Sequence, residues 1–122
     1  MGVKVESFED LEVWREGMDV ARKVYASLKG CKDFGLRDQM QRGAVSIPSN
    51  IAEGFERRSN KEFIQHLYIA KGSSAELRTQ IMISIGLELI PKESGEQLLE
   101  QTRKVARMLY RLIVTRKERF NG

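Results

Sequence analysis

Apolar residues recur along most of this chain at intervals of three and four positions, which is the spacing of one face of an α-helix. No stretch shows the strict alternation of apolar and polar residues that is typical of a half-buried strand. Four amphipathic segments, joined by short loops, therefore predict an all-α protein. The predicted helices span about residues 8–29, 36–56, 60–89 and 95–118.

Capping signals support these segments. Ser59 with Glu62 three residues later is a capping box at the start of the third helix, and Ser94 with Gln97 predicts a similar start for the fourth. Connections of about 4–8 residues make consecutive helices antiparallel neighbours. The predicted architecture is an antiparallel, up-down-up-down four-helix bundle that forms one domain over residues 1–122.

The first helix carries more apolar surface than one bundle core requires. We predict that its core-facing stripe is Leu11, Trp14, Met18, Ala21, Tyr25 and Leu28. A second stripe of Val13, Val20 and Val24 lies beside it. Because the third helix is also apolar over more than a third of its circumference, we expect this surplus surface to form a subunit interface in a cyclic oligomer.

Charge is distributed unevenly along the chain, whose net charge is +4. Residues 1–99 hold 14 Lys/Arg and 15 Asp/Glu, whereas residues 100–122 hold seven and two. The basic excess therefore lies in the fourth helix, opposite its predicted core face. It is either an ordinary solvated face or a surface that binds the phosphates of RNA or DNA. The candidate nucleic-acid-binding residues are Arg103, Lys104, Arg107, Arg111, Arg116, Lys117 and Arg119, and Tyr110 beside them offers a ring for stacking on a base.

A second unusual pattern is a polar strip on the second helix. It consists of Gln39, Arg42, Ser46, Asn50 and Glu53, and it borders the apolar face. Lys71 and Arg78 fall in the apolar sector of the third helix, so we expect Asn50 and Glu53 to be their partners. These residues form either a structural polar layer that fixes helix register, which we favour, or a ligand or catalytic site.

Catalytic and metal-binding chemistry has little support in the sequence. His66 is the only histidine and Cys31 the only cysteine, and no spacing of acidic residues is diagnostic of a metal site. We therefore expect a protein that is not an enzyme and needs no metal or cofactor. A single cysteine fits a reducing cytoplasm, and no apolar run is long enough to span a membrane, so we expect a cytoplasmic location without a membrane partner.

Three segments together resemble a known family. They are Phe8–Trp14, the stretch Ser-Ile-Pro-Ser-Asn-Ile-Ala-Glu-Gly at Ser46–Gly54, and Leu67–Leu77. The chain resembles the bacterial four-helix bundles known as 23S rRNA intervening-sequence proteins, over about residues 8–115. That family is in turn similar to the accessory variability proteins of diversity-generating retroelements, which are basic pentameric barrels that bind nucleic acid and a reverse transcriptase. The resemblance implies a cyclic homopentamer and gives no catalytic assignment.

The family-motif and polar-layer residues are Ser46, Pro48, Asn50, Glu53, Gly54, Lys71, Ser73, Glu76 and Arg78. Among them, we expect Pro48 to bend or loosen the second helix. Our leading hypothesis is an oligomer that binds RNA or DNA non-specifically through the fourth helix. The alternative is a pentameric scaffold that docks a protein partner without binding nucleic acid itself. A metal-dependent nuclease that uses Glu53 or Glu76 is a more distant third.

Overall fold

The computed structural model describes residues 4–120, so residues 1–3 and 121–122 of the predicted domain lie outside the described residues. A single 3₁₀ turn precedes four α-helices, and this range contains no strand, so the all-α prediction is confirmed. No helix within it is both long enough and apolar enough to cross a membrane. The turn is Phe8–Asp10, and the helices are α1 Glu12–Ser27, α2 Phe34–Phe55, α3 Asn60–Gly86 and α4 Lys92–Phe120.

Side-chain caps fix where α2 and α3 begin. The Asp33 carboxylate accepts a hydrogen bond from the backbone N–H of Leu36 at 3.0 Å, which starts α2 two residues before its predicted position. The Ser59 hydroxyl accepts one from the backbone N–H of Glu62 at 3.1 Å, as the capping box predicts. In both cases a short polar side chain satisfies a donor that has no partner within the helix.

The boundary between α3 and α4 differs from the prediction. The backbone N–H of Leu89 donates to the carbonyl of Ser84 at 2.8 Å, and Glu88 adopts a left-handed φ of 58°, so α3 ends at Gly86. The fourth helix already begins at Lys92. Ser94 does not cap it, because its hydroxyl lies in the first turn and donates to the carbonyl of Pro91 at 3.3 Å.

Each helix packs against two others, in the cycle α1–α2–α3–α4–α1, and the described residues show no contact across either diagonal. The core therefore runs along the centre of the four helices. A Cβ on Gly17 would lie 3.3 Å from Cγ2 of Ile47, so a glycine allows α1 and α2 to approach closely there. The largest fully buried side chains are Met40, Ile47, Ile51, Leu67, Leu77, Ile81, Leu109 and Ile113.

The second apolar stripe of α1, not most of the first, fills the core, although Leu28 of the first stripe is buried as predicted and Leu11 is packed against the core. Val13, Val20 and Val24 are buried in the core, whereas Tyr25 is 46% exposed. Trp14, Met18 and Ala21 instead line an open apolar groove between α1 and α2, together with Tyr25 and Pro48. The prediction failed because both stripes are apolar with helical spacing, and only the direction of the neighbouring helices decides which one turns inward.

Pro48 lies within α2, which runs without interruption from Phe34 to Phe55. The proline is buried, and its ring carbons would lie 3.6 Å from a Cβ on Gly17. It therefore packs where α1 and α2 are closest, and the helix continues on both sides of it.

Candidate functional site

The basic residues of α4 lie on the side of the helix that faces away from the core. Val105 and Leu109 are fully buried, and Arg107 and Arg111, about half a turn from them, are exposed. From Arg103 to Arg111 the helix rises by about 12 Å, at about 1.5 Å per residue. We call Arg103, Lys104, Arg107 and Arg111 the α4 basic face.

Partners divide the α4 basic face into two halves. Arg103 pairs with Glu100 at 2.9 Å, and Lys104 pairs with Glu16 of α1 at 3.0 Å. Arg107 and Arg111 have no hydrogen bond or ion pair with any residue in the described range 4–120. Two exposed guanidinium groups are therefore available for an external anion.

Two cations near the end of α4, Arg116 and Lys117, contact residues of α3. Arg116 Nε donates to Oδ1 of Asn60 at 2.7 Å, and the guanidinium carbon lies 5.0 Å from the Phe63 ring centroid. Burial, followed by the charge of Arg119, lowers the pKa of Arg116. The side chain is nevertheless charged, because arginine stays protonated in proteins. Arg116 thus connects α4 to α3 through Asn60 and Phe63, whereas Arg119 is exposed.

Lys117 joins the same two helices. Its ammonium group donates to the Tyr68 hydroxyl at 2.7 Å and lies 5.0 Å from the centroid of the Tyr68 ring. This contact fixes an exposed aromatic ring of α3 beside the basic segment of α4. Sequence patterns do not pair these two residues, because they are 49 positions apart in the chain.

The structure also corrects the predicted partners of Lys71 and Arg78. Arg78 donates to the Ser74 hydroxyl at 3.1 Å, and Lys71 has no partner within residues 4–120. Both are half-buried and lie one and two heptads before Ile85, which packs against α4. They therefore lie on the stripe of α3 that faces α4, and neither one pairs with Asn50 or Glu53 of α2.

These two cations add to the positive charge of α4. Contacts of Ile85 with the Gly95 position and of Tyr68 with Lys117 set the register of the two helices. Counting residues between these two contacts places Arg78 about level with Arg103 and Lys71 about level with Tyr110. We call Lys71, Arg78, Arg103, Arg107 and Tyr110 the basic seam.

A polar layer does form between α2 and α3, but it is smaller than predicted. The hydroxyls of Ser46 and Ser73 are 2.9 Å apart, and Asn50 Nδ2 donates to the carbonyl and the hydroxyl of Ser46 at 2.9 and 3.0 Å. All three residues are partly buried and satisfy one another. The arrangement is a hydrogen-bonded contact between α2 and α3.

Glu53 lies outside this layer, on the surface. Its carboxylate accepts from Arg57 at 2.8 Å and lies 3.6 Å from Nε2 of His66. The hydrogen bond from Arg57, followed by the charge of His66, lowers the pKa of Glu53. Glu53 is exposed, although the next residue, Gly54, is buried against α3.

Gly54 and Glu76 complete the motif. A Cβ on Gly54 would lie 2.5 Å from the Cβ of His66, so this position allows α2 and α3 to touch. Glu76 is exposed on the outer side of α3 and has no ion pair within the described part of the chain. The described residues contain no group of three or more His, Cys, Asp or Glu side chains that are placed to hold a metal ion.

The outward side of α3 carries exposed apolar residues toward both of its ends, with the exposed residues Glu76 and Thr79 between them. We call Ile69, Gly72, Ile83 and Leu87 the α3 outer face. Leu87 is 62% exposed and Ile83 47% exposed, and a Cβ on Gly72 would meet nothing within 4 Å. Exposed apolar residues grouped on one side of a helix are a common feature of interaction sites.

Comparison with known proteins identifies the fold. A sequence model of the family described as 23S rRNA-intervening sequence protein matches residues 9–111. A solved structure of a protein with unknown function from the S23 ribosomal protein family of Bacteroides thetaiotaomicron is 25% identical to this chain. The match covers 83% of this chain and 97% of that one, with a TM-score of 0.79. Among the curated proteins, none matches.

Proposed function

Because the chain belongs to the 23S rRNA-intervening sequence protein family, we propose that it is a non-enzymatic oligomer that binds RNA or DNA through the α4 basic face. Contacts are made mainly to phosphates, so affinity is salt-dependent and sequence preference is weak. Phosphate binding needs only cations held at fixed positions. The proposal therefore assigns no catalytic residue, metal or cofactor.

One observation carries this proposal. Between Glu100 and Glu118, α4 contains six Lys/Arg residues and no Asp or Glu. Within that stretch Arg107 and Arg111 are exposed and have no partner in the described residues. Arginine presents a planar fork that matches phosphate oxygens, and an unpaired fork gives up no ion pair when it binds one. Lys71 and Arg78 extend the positive charge onto α3.

The family supports the proposal less directly. Its name refers to an insertion in ribosomal RNA, whereas the solved relative is described as a protein with unknown function. The resemblance to accessory variability proteins points in the same direction, since those pentamers bind nucleic acid.

We propose that the helices are antiparallel and that the chains assemble into a cyclic homopentamer. The contacts between α2 and α3 support the antiparallel arrangement. The Ser84 hydroxyl donates to Sδ of Met40 at 3.2 Å near one end of the contact, and Gly54 lies beside His66 near the other. Residue numbers thus rise along one helix as they fall along the other. The exposed α3 outer face supports the cyclic assembly, since ring closure buries such surface.

Fluorescence anisotropy with labelled RNA and DNA oligonucleotides, over a series of salt concentrations, tests the binding. We expect the double variant Arg107→Gln/Arg111→Gln to reduce the slope of log K against log salt by about 1.4 for single strands, at about 0.7 per lost phosphate contact. The matched control is Arg22→Gln/Arg42→Gln, which removes the same charge from exposed positions on α1 and α2. Equal slopes for the two double variants, or no binding by the wild type at low salt, would disprove the proposal.

A second candidate function is supported by the open apolar groove between α1 and α2, which is separate from the α3 outer face. A pentamer that uses its surface as a scaffold for a protein partner needs no affinity for nucleic acid. Native mass spectrometry with and without a polyanion separates the two functions. A stable assembly of five 14.0 kDa chains that never takes up the polyanion favours the scaffold.

The assembly has its own test. We expect Ile83→Glu to lower the native mass, because it places a charge in the interface. Phe34→Glu is the matched control, because Phe34 is an exposed residue at the start of α2. A wild-type monomer, or an Ile83→Glu variant that keeps the wild-type mass, would contradict assembly through the α3 outer face.

A further inference from the structure

We propose that the basic seam binds single-stranded nucleic acid in preference to duplex, with Tyr110 as the surface on which a base stacks. This inference rests on the nucleic-acid binding proposed above and names its ligand class. Cations alone do not discriminate between single strands and duplexes, because both present phosphates. The discrimination comes from the exposed aromatic ring.

Tyr110 is 58% exposed, although it directly follows the fully buried Leu109 of the same helix. It follows Arg107 by three residues and precedes Arg111 directly. Residues three apart on a helix are neighbours on its surface. The ring therefore lies beside Arg107, and Arg111 is one turn beyond Arg107 on the same helix; neither arginine has a partner in the described residues.

The opposite side of the seam offers a second ring. Tyr68 of α3 is 47% exposed, and Lys117 holds its hydroxyl at 2.7 Å. In the register of the α3–α4 contacts, Lys71 is level with Tyr110, and Tyr68 lies about one helical turn further along on the α3 side, next to Lys117. Packed helix axes are about 8–10 Å apart, so both rings border one short stretch of the seam.

Proteins that bind single strands without strong sequence preference commonly combine aromatic rings with a positively charged groove. Every base has a π-face that can stack on tyrosine, whereas the bases of a duplex are already stacked on one another. A single strand can therefore contact Arg107 and Arg111 through its phosphates and Tyr110 through a base. A duplex makes only the phosphate contacts.

Anisotropy with the full-length protein and three probes of equal length tests this inference. The probes are an oligothymidylate, a duplex, and an abasic strand that keeps the phosphates but lacks the bases. We expect the wild type to bind the oligothymidylate most tightly. We expect Tyr110→Ala to weaken that binding by about 5- to 100-fold, which corresponds to the loss of one stacked base, and to leave the abasic and duplex affinities unchanged.

Two variants complete the design. Tyr110→Phe keeps the ring, so its oligothymidylate affinity stays within about twofold of the wild type. Tyr25→Ala is the matched control, because Tyr25 is exposed to a similar degree on α1, away from the seam. If the wild type binds all three probes equally, or if Tyr110→Ala weakens all three alike, the stacking inference is wrong while phosphate binding stands. Absence of binding to any probe would overturn the proposed function itself.

Discussion

A methyl group at Gly54 tests how closely α2 and α3 approach at the end of the family motif. A Cβ on this glycine would lie 2.5 Å from the Cβ of His66 and 3.1 Å from Cδ1 of Phe63. The His66 Cβ is bonded directly to the backbone, so no rotation of the side chain can move it away. Gly54→Ala therefore forces the two helix backbones apart.

The expected change in the free energy of unfolding of Gly54→Ala is the sum of two opposing contributions. Replacing a helical glycine by alanine stabilises a helix by up to about 1 kcal/mol. Adding an atom to a well-packed contact costs about 1–3 kcal/mol, and a contact at 2.5 Å belongs at the upper end of that range. We expect a net destabilisation of about 1–2 kcal/mol, which lowers Tm by about 3–10 °C for a chain of this size.

Gly43→Ala is the matched control, since it makes the same change on the same helix and facing the same neighbour. Its Cβ would meet Oε1 of Gln80 at 3.6 Å, which is an ordinary contact. We expect Gly43→Ala to be neutral or to stabilise the protein by up to about 1 kcal/mol. Urea unfolding followed by circular dichroism, at one protein concentration, compares the two. If Gly54→Ala is as stable as Gly43→Ala, the close approach at Gly54 is not a real constraint.

Three further predictions concern the ends of the bundle. Asn60→Ala removes two hydrogen bonds to Arg116, at 2.7 and 3.1 Å, and should cost about 1–2 kcal/mol of unfolding free energy, measured by urea titration; an unchanged midpoint would contradict this. Glu88→Gly relieves a left-handed backbone and should stabilise the protein by up to about 1 kcal/mol, as a higher Tm; a lower Tm would show that the strain is absent. Arg57 lowers the pKa of Glu53 from its ordinary 4.5, so the stability from this pair is present above pH 4.5 and is lost as pH falls through the lower folded value. Glu53→Gln should therefore lose less stability than the wild type between pH 7 and pH 3, and parallel losses would exclude this contribution.

The candidate site was predictable only in part. Arg107 and Arg111 lie on the outer side of α4. Their four-residue spacing places them on one face of the helix, and that face is opposite the apolar face that packs against the core. Their freedom from ion pairs was not predictable. Lys104 belongs to the same basic face, yet it is neutralised by Glu16, a residue of α1 that only the fold brings near.

The partners of Lys71 and Arg78 were even less predictable from the sequence. Their position on an apolar sector correctly marked them as unusual, and the expected partners on α2 were wrong. A helix buried on two sides has one sector for each neighbour, and sequence periodicity does not say which neighbour faces which sector. The structure turns the sector of Ile85, and with it both cations, toward α4.

By itself, the sequence determined the all-α class, the four helices and the family, because helical periodicity and short motifs are local properties of the chain. It also determined that the basic charge collects on α4. Only the tertiary structure decided which valines of α1 fill the core, which face of α3 stays uncovered, and which two arginines have no partner. Those outcomes depend on contacts between residues that are distant in the chain, and such contacts exist only once the helices have packed.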